Sequence, residues 1–92
     1  MKKEKILLVD DEQDIIDLIS YNLEKENYEV RSAMNGRDAI KTAKEFLPDL
    51  ILLDVMMPEM DGIETCVEMR EIESLKPSII AFLTARGEDY SQ

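Results

Sequence analysis

The chain has few basic residues and no histidine, and this shortage excludes several classes of partner. Eleven lysines and arginines stand against 21 aspartates and glutamates, so the formal net charge is 11 − 21 = −10. Such a chain cannot neutralise a run of phosphates, which argues against nucleic acid, and an anionic membrane surface does not attract it. The charge is compatible with a bound cation or with a partner that carries a basic patch.

Cysteine and long apolar runs are scarce as well. The single cysteine, Cys66, excludes an internal disulfide, and its neighbours Ile63 and Val67 favour a small buried side chain over a nucleophile. The apolar run 6–9 is too short for a signal peptide, and no segment is long enough to span a membrane. We therefore expect a cytoplasmic protein. Its 92 residues, 45% of them apolar, predict one domain over 1–92 with a single core.

Short apolar runs alternate with helical patterns along the chain. Strands are predicted at residues 6–9, 28–33, 50–53 and 79–83. The helix after the first strand has Ile15, Ile16, Ile19 and Leu23 at helical spacing. The next helix begins at Asn35-Gly36 and is expected to turn Ala39, Ile40, Ala43 and Leu47 inward. A third is expected to bury Ile63 and Val67, with Met69 and Ile72. The order β-α-β-α-β-α-β predicts an α/β fold with a parallel sheet, right-handed crossovers and helices on both faces.

Polar residues follow three of the predicted strands: Asp10-Asp11, Asp54 and Thr84. Because parallel strands end at one edge of the sheet, these residues are expected to share a pocket. Gathered carboxylates repel one another, so the pKa of at least one should rise unless a cation binds. Ligands made only of oxygen suit Mg²⁺. One carboxylate could then act as a nucleophile and form an acyl phosphate, while the Thr84 hydroxyl and main-chain N–H groups after Asp54 hold phosphoryl oxygens. For Asp10 and Asp11, solvated loop residues or helix caps remain an equal interpretation.

Three segments together resemble a known family. LVDDE at 8–12, DLILLDVMMPEMDG at 49–62 and LTAR at 83–86 are closely similar to the receiver domains of two-component response regulators. The resemblance runs from Lys5 to about Glu88. It implies a flavodoxin-like doubly wound parallel sheet with strand order 2-1-3-4 for the strands present. It also implies that a sensor histidine kinase phosphorylates Asp54.

The resemblance assigns roles to individual residues as well. It implies that Asp11, Asp54 and the main-chain carbonyl of Met56 ligate Mg²⁺, with Asp10 contributing through the acidic pocket. Thr84 matches the family's switch hydroxyl. The small Ala85 leaves room for the phosphoryl group.

The chain also departs from the family pattern. Family members continue into a fifth strand, which ends in an active-site lysine, and a fifth helix, but this sequence stops at Gln92. Neither Lys76 nor Arg86 occupies the position of that lysine. We therefore expect a receiver domain that is incomplete at its C-terminus, with phosphorylation retained and the coupling to a conformational change in doubt. The run at 84–86 is most similar to regulators with winged-helix effectors.

The leading hypothesis is a signalling module, which is not an enzyme but a phosphorylation substrate that assists its own modification. Two other functions are alternatives to it. An aspartate-nucleophile phosphohydrolase needs a second aspartate two residues after the nucleophile, and here that residue is Met56. A fragment that only folds and self-associates is left open. Without a fifth strand, the apolar fourth strand would be an unprotected sheet edge, which predicts homo-oligomers formed by edge pairing or by exchange of elements.

Overall fold

The structure is a computed structural model that describes residues 2–83. Along this part of the chain, strands and helices alternate as the sequence predicts. The elements are β1 (Lys5–Val9), α1 (Gln13–Lys25), β2 (Glu29–Ala33), α2 (Gly36–Phe46), β3 (Leu50–Asp54), α3 (Gly62–Arg70), a 3-10 helix (Glu73–Leu75) and β4 (Ile79–Leu83). No helix within residues 2–83 combines the length and the apolar character needed to cross a membrane.

All strands of the sheet are parallel, and their order is β2-β1-β3-β4, as the resemblance implied. Val9 at the end of β1 is paired with Ala33 of β2 and with Leu53 of β3. The carboxyl ends of these strands are therefore level with one another. The loops that follow β1 and β3 leave the sheet at adjacent points.

The two central strands carry the core on both faces of the sheet. Side chains alternate along a strand, so Leu7 and Val9 of β1 point to one face and Ile6 and Leu8 to the other. All four are buried. Leu7 and Val9 belong to the main hydrophobic cluster of the core. Its other buried members are Ala33, Ala39, Ala43, Phe46, Ile51, Leu53, Met57, Met69 and Leu75. Helix α1 packs on β1 and β2, and Ile16 is its buried residue.

Helix α2 differs from the prediction at its C-terminal end. It begins as expected, because Asn35 caps it by accepting the N–H of Asp38 at 2.8 Å. It ends at Phe46, and Leu47 adopts the left-handed conformation with φ of 52°. The prediction that Leu47 faces inward is therefore wrong: it is 49% exposed. The adjacent Phe46 is buried instead, although the helical pattern did not include it.

Helix α3 turns Ile63 and Val67 away from the core, contrary to the prediction, although Met69 is buried as expected. Ile63 and Val67 are 50% and 56% exposed, whereas Gly62, Thr65 and Met69 are buried. A methyl group on Gly62 would collide with the carbonyl oxygen of Asp54, so the helix start lies directly against the end of β3. This close approach selects the face with the smallest residue, and the predicted burial of Ile63 and Val67 is wrong.

The end of α3 also comes earlier than the apolar pattern suggests. The helix ends at Arg70, and Ile72 precedes the 3-10 helix while still packing against the core cluster. The Arg70 guanidinium donates to the carbonyl oxygen of Ser78 at 2.7 Å and so ties the helix end to the start of β4. Cys66 is half-buried against the same cluster, as expected of a small apolar side chain.

Candidate functional site

Three carboxylates meet where β1 and β3 end. Asp10 and Asp11 follow β1, and Asp54 is the last residue of β3. Each offers one carboxylate oxygen, and these oxygens lie within 4.8 Å of one another. Asp10 is buried, with 7% of its surface exposed, while Asp11 and Asp54 are half-buried. The parallel register brings together residues that are more than forty positions apart in sequence.

Local hydrogen bonds fix the two carboxylates that end the strands. The Asp10 N–H donates to the carbonyl oxygen of Ala33 at 3.1 Å, which continues the β1–β2 pairing by one residue. The Asp10 Oδ1 accepts the N–H of Glu12 at 2.9 Å, and the Asp54 Oδ1 accepts the N–H of Met56 at 3.1 Å. In both cases an aspartate bonds the backbone two residues later, a turn that orients the carboxylate without another side chain.

The loop after Asp54 is anchored at its far end. The Gly62 N–H donates to the carbonyl oxygen of Val55 at 3.0 Å. Asp61 and Glu64 form a reciprocal capping box, in which each side chain accepts the other's backbone N–H, at 2.9 and 3.0 Å. The loop 55–61 is thus held between the end of β3 and the start of α3.

The electrostatics of the site single out Asp54. Burial raises the pKa of the Asp54 carboxyl, and the negative charges of Asp10, Asp11 and Glu12 raise it further, whereas the Met56 N–H lowers it. A bound cation would relieve this repulsion. Glu12 was not predicted as a site residue, although its place in the acidic run at 10–12 was the available signal.

The donor set fits a hard divalent cation. Mg²⁺ prefers carboxylate and water oxygens at about 2.0–2.1 Å, so two ligands on opposite sides of one ion are roughly twice that distance apart. Oxygens within 4.8 Å of one another reach a common ion after a small side-chain rotation, or through a metal-bound water. Asp10, Asp11 and Asp54 can therefore hold Mg²⁺ among them.

Of the other predicted site residues, one lies near Asp54 and two lie outside the described part of the chain. Met56 lies beside Asp54 through its N–H, while a ligand role for its carbonyl stays a prediction. Thr84, the predicted switch hydroxyl, and Ala85, the predicted phosphoryl pocket, lie outside the described residues 2–83.

Comparison with known proteins identifies the family. Residues 6–92 match the response regulator receiver domain, which is nearly the whole chain. The chain belongs to the response regulator receiver family. Over 88 residues, 96% of the chain, this receiver domain is 47% identical to the alkaline phosphatase synthesis transcriptional regulatory protein PhoP of Bacillus subtilis strain 168. It spans 36% of the length of that relative.

Solved structures agree with this assignment. The receiver domain is 37% identical to the response regulator protein TrrA of Thermotoga maritima in complex with Mg²⁺ and BeF, with a TM-score of 0.83 over 97% of this chain and 76% of that chain. A chain of the complex between histidine kinase ThkA and TrrA is 39% identical, with a TM-score of 0.80 over 89% of this chain and 69% of that one. The sheet order and helix placement are thus those of the receiver fold, and in residues 2–83 it has four strands and three α-helices.

Proposed function

We propose that this receiver domain is a phosphoacceptor of a two-component system, in which a sensor histidine kinase phosphorylates Asp54 with the help of Mg²⁺. The observation that carries the proposal is the meeting of the Asp10, Asp11 and Asp54 carboxylates within 4.8 Å at the carboxyl ends of β1 and β3. Two structures of one relative support the finer assignment, because TrrA was crystallised with Mg²⁺ and BeF and also with the kinase ThkA.

Asp54 is the best placed of the three acids to act as nucleophile. Asp10 is buried, with 7% of its surface exposed, so a phosphodonor reaches it less easily than Asp54. Asp54 is half-buried, and among the described residues its one protein hydrogen bond goes to Oδ1, so Oδ2 remains available to a phosphorus atom. Asp11 would hold Mg²⁺ together with Asp54, and the carbonyl of Met56 and the pocket acid Asp10 complete the proposed set.

The proposed step is an in-line displacement at phosphorus. An Asp54 carboxylate oxygen forms a P–O bond, and the bond from phosphorus to the histidine nitrogen of the kinase breaks. The electron pair of the broken bond stays on that nitrogen, so the imidazole, protonated on its other nitrogen, leaves in neutral form and Asp54 carries an acyl phosphate. Bound Mg²⁺ would supply charge neutralisation for the carboxylates and the phosphoryl oxygens. The main-chain N–H of Met56 orients the carboxylate. The protein is then a substrate that assists its own modification rather than an enzyme with turnover.

Small phosphodonors provide a direct test. Incubation with acetyl phosphate and Mg²⁺, followed by intact mass spectrometry, should show a gain of one phosphoryl group that disappears in Asp54→Asn. The exposed acid Asp14 offers a matched control, and Asp14→Asn should keep the gain. Persistence of the gain in Asp54→Asn would disprove the site. A wild-type chain that never gains mass would instead support the alternative of a fragment that folds and self-associates without signalling.

Self-association is part of the proposal because β4 carries exposed apolar side chains. In the described sheet β4 is the outermost strand next to β3, and Ile79 and Phe82 are 65% and 44% exposed. Such a strand can pair with another copy through its free edge. A cytoplasmic location belongs to the same proposal, as the expected compartment of a domain that a sensor histidine kinase phosphorylates.

A further inference from the structure

Helix α3 turns two apolar residues away from the core, and they line a groove. Ile63 and Val67 are one helical turn apart and more than half of Val67 is exposed. The groove has a volume of about 630 Å³ and lies between α3, the start of α2 and the loop after Asp54. Pro58 and Met60 of that loop complete its apolar lining. Its volume is in the range of ligand-binding clefts.

The charges around this groove have one predominant sign. Glu59, Glu64 and Glu68 line it, against Arg37 as the basic lining residue. Glu64 and Glu68 stand one turn apart, beside the row formed by Ile63 and Val67, so an apolar row and an acidic row run in parallel along α3. The carboxylate of Glu64 is held in place by the capping box with Asp61. A ligand that matches this surface needs an apolar row with positive charges beside it.

We propose that this α2–α3 groove, lined by Pro58, Met60, Ile63 and Val67 with Glu59, Glu64 and Glu68 at its margin, is a docking surface for a basic amphipathic helix of a partner protein. A helix that lays apolar residues into a groove between helices is a common mode of peptide recognition. Lysines and arginines next to its apolar row would face the glutamates. The proposal does not depend on phosphorylation of Asp54.

A second copy of the chain does not satisfy the same surface. In a twofold-symmetric contact this surface would pack on a copy of itself, so each side would bring three glutamates and one arginine, and an excess of like charge across an interface is repulsive. The net charge of −10 adds to that repulsion. Nucleic acid and anionic membranes carry the same sign of charge as the groove and are excluded for the same reason.

The groove is also connected physically to the acidic site. Glu59 and Met60 belong to the loop that begins at Asp54 and ends where Gly62 rests against the Asp54 carbonyl. The Met60 side chain lies over Gly36 of α2, because a methyl group there would come within 2.7 Å of the Met60 sulfur. A partner seated in the groove would therefore contact the loop whose N-terminal end orients the Asp54 carboxylate.

The test uses a designed peptide and the full 92-residue chain. The probe is a fluorescein-labelled peptide of about four helical turns, with leucines at i, i+3, i+4 and i+7 positions and lysines and arginines elsewhere. Fluorescence anisotropy should show saturable binding. A second peptide of the same composition, with its leucines spread around the helix, should bind at least about fivefold more weakly.

Paired variants distinguish the groove from general acidity. Val67→Ser and Glu68→Lys should each weaken binding by about fivefold or more. Their matched controls on α1, Leu18→Ser and Glu24→Lys, should change it by less than about twofold. Leu18 and Val67 have similar exposure, at 60% and 56%, so neither substitution disturbs the core, and circular dichroism verifies this. Amide shifts should concentrate at 35–37 and 58–68.

Three results would overturn the proposal. If the α1 variants weakened peptide binding as much as the α3 variants, the peptide would be binding through the net charge of the protein alone. Equal binding of the two peptides would remove the requirement for an apolar row. Absence of binding, or amide shifts centred away from the groove, would show that the surface does not dock a basic helix. Because no phosphodonor is used, none of these outcomes bears on whether Asp54 is phosphorylated.

Discussion

At the scale of single residues, Asp11 and Glu26 carry the same charge in different surroundings. Asp11 shares a pocket with two other carboxylates, whereas Glu26 is exposed just beyond the end of α1. Several carboxylate oxygens held in fixed positions bind Mg²⁺ much more tightly than one solvated carboxylate does. We therefore expect Asp11→Asn to weaken Mg²⁺ binding about tenfold or more in a calorimetric titration, by comparison with the losses caused by removing supporting groups at metal sites. Glu26→Gln should leave binding nearly unchanged. Equal losses would mean that the acids act only as general surface charge.

The raised pKa of Asp54 predicts how stability depends on pH without metal. Burial and the neighbouring carboxylates raise its pKa above the ordinary value of 3.8, so between 3.8 and the raised value the folded state binds more protons than the unfolded state. The contribution of Asp54 to folding stability therefore decreases as pH rises through that window. Asp54→Asn removes the unfavourable free energy of a charged carboxylate at this site. At neutral pH the variant should therefore unfold at a higher urea concentration than the wild type.

Two controls accompany the urea measurement. The advantage of Asp54→Asn should shrink as the pH falls through this window and disappear below 3.8, where wild-type Asp54 becomes protonated in both the folded and the unfolded state. Saturating Mg²⁺ at neutral pH should reduce or reverse the advantage, since the ion binds the folded wild type. An advantage of constant size across the pH range would show that charge is not its cause.

At the scale of elements, the position of α3 depends on the backbone contact of Gly62. A methyl group there would lie 2.8 Å from the Cα of Val55 and still closer to the carbonyl oxygen of Asp54, and neither backbone atom can move without disturbing β3. Gly62→Ala should therefore lower the free energy of unfolding by about 1–3 kcal/mol, the usual cost of overpacking. Urea denaturation measures the loss.

Gly36 provides the matched comparison for Gly62. It is the first residue of α2 and is also buried, but a methyl group there would meet the side chains of Thr65 and Met60 rather than backbone. Methionine is flexible and can move aside, and the Thr65 hydroxyl, the nearest atom, can turn away at the cost of its hydrogen bond to the Asp61 carbonyl. Gly36→Ala should be the less destabilising of the two substitutions. The opposite order would contradict the view that the contact with β3 fixes the face that α3 presents.

At the scale of the whole molecule, the apolar edge of β4 and the net charge of −10 oppose each other. Edge pairing brings copies together, while long-range repulsion between acidic copies weakens at higher salt. We expect sedimentation velocity to show self-association that increases with protein concentration and with salt. Phe82→Lys, which places a charge on the strand, should suppress it, and Leu18→Lys on α1 should not. A monomer at every concentration and salt would disprove the edge contact.

The sequence by itself determined the order of strands and helices and the acids of the candidate site. Strands such as Leu50–Asp54 were predictable because a short apolar run that ends in an acid is a local signal. The pocket of Asp10, Asp11 and Asp54 was predictable because parallel strands end at one edge. The choice of Mg²⁺ followed from ligands made only of oxygen. The kinase came from the resemblance to receiver domains, and both remain proposals.

Only the tertiary structure decided which side of α3 faces the core and where α2 ends. Apolar periodicity predicted that Ile63 and Val67 are buried. It contains no information on the space at the end of β3, which admits only Gly62. It likewise could not show that Leu47 turns left-handed while Phe46 packs beneath the cationic groups of Lys5 and Arg31. These outcomes depend on atoms that the fold brings close together. The raised pKa of Asp54 does so as well, because burial and the distance between charges are set by the three-dimensional arrangement and not by the order of residues in the sequence.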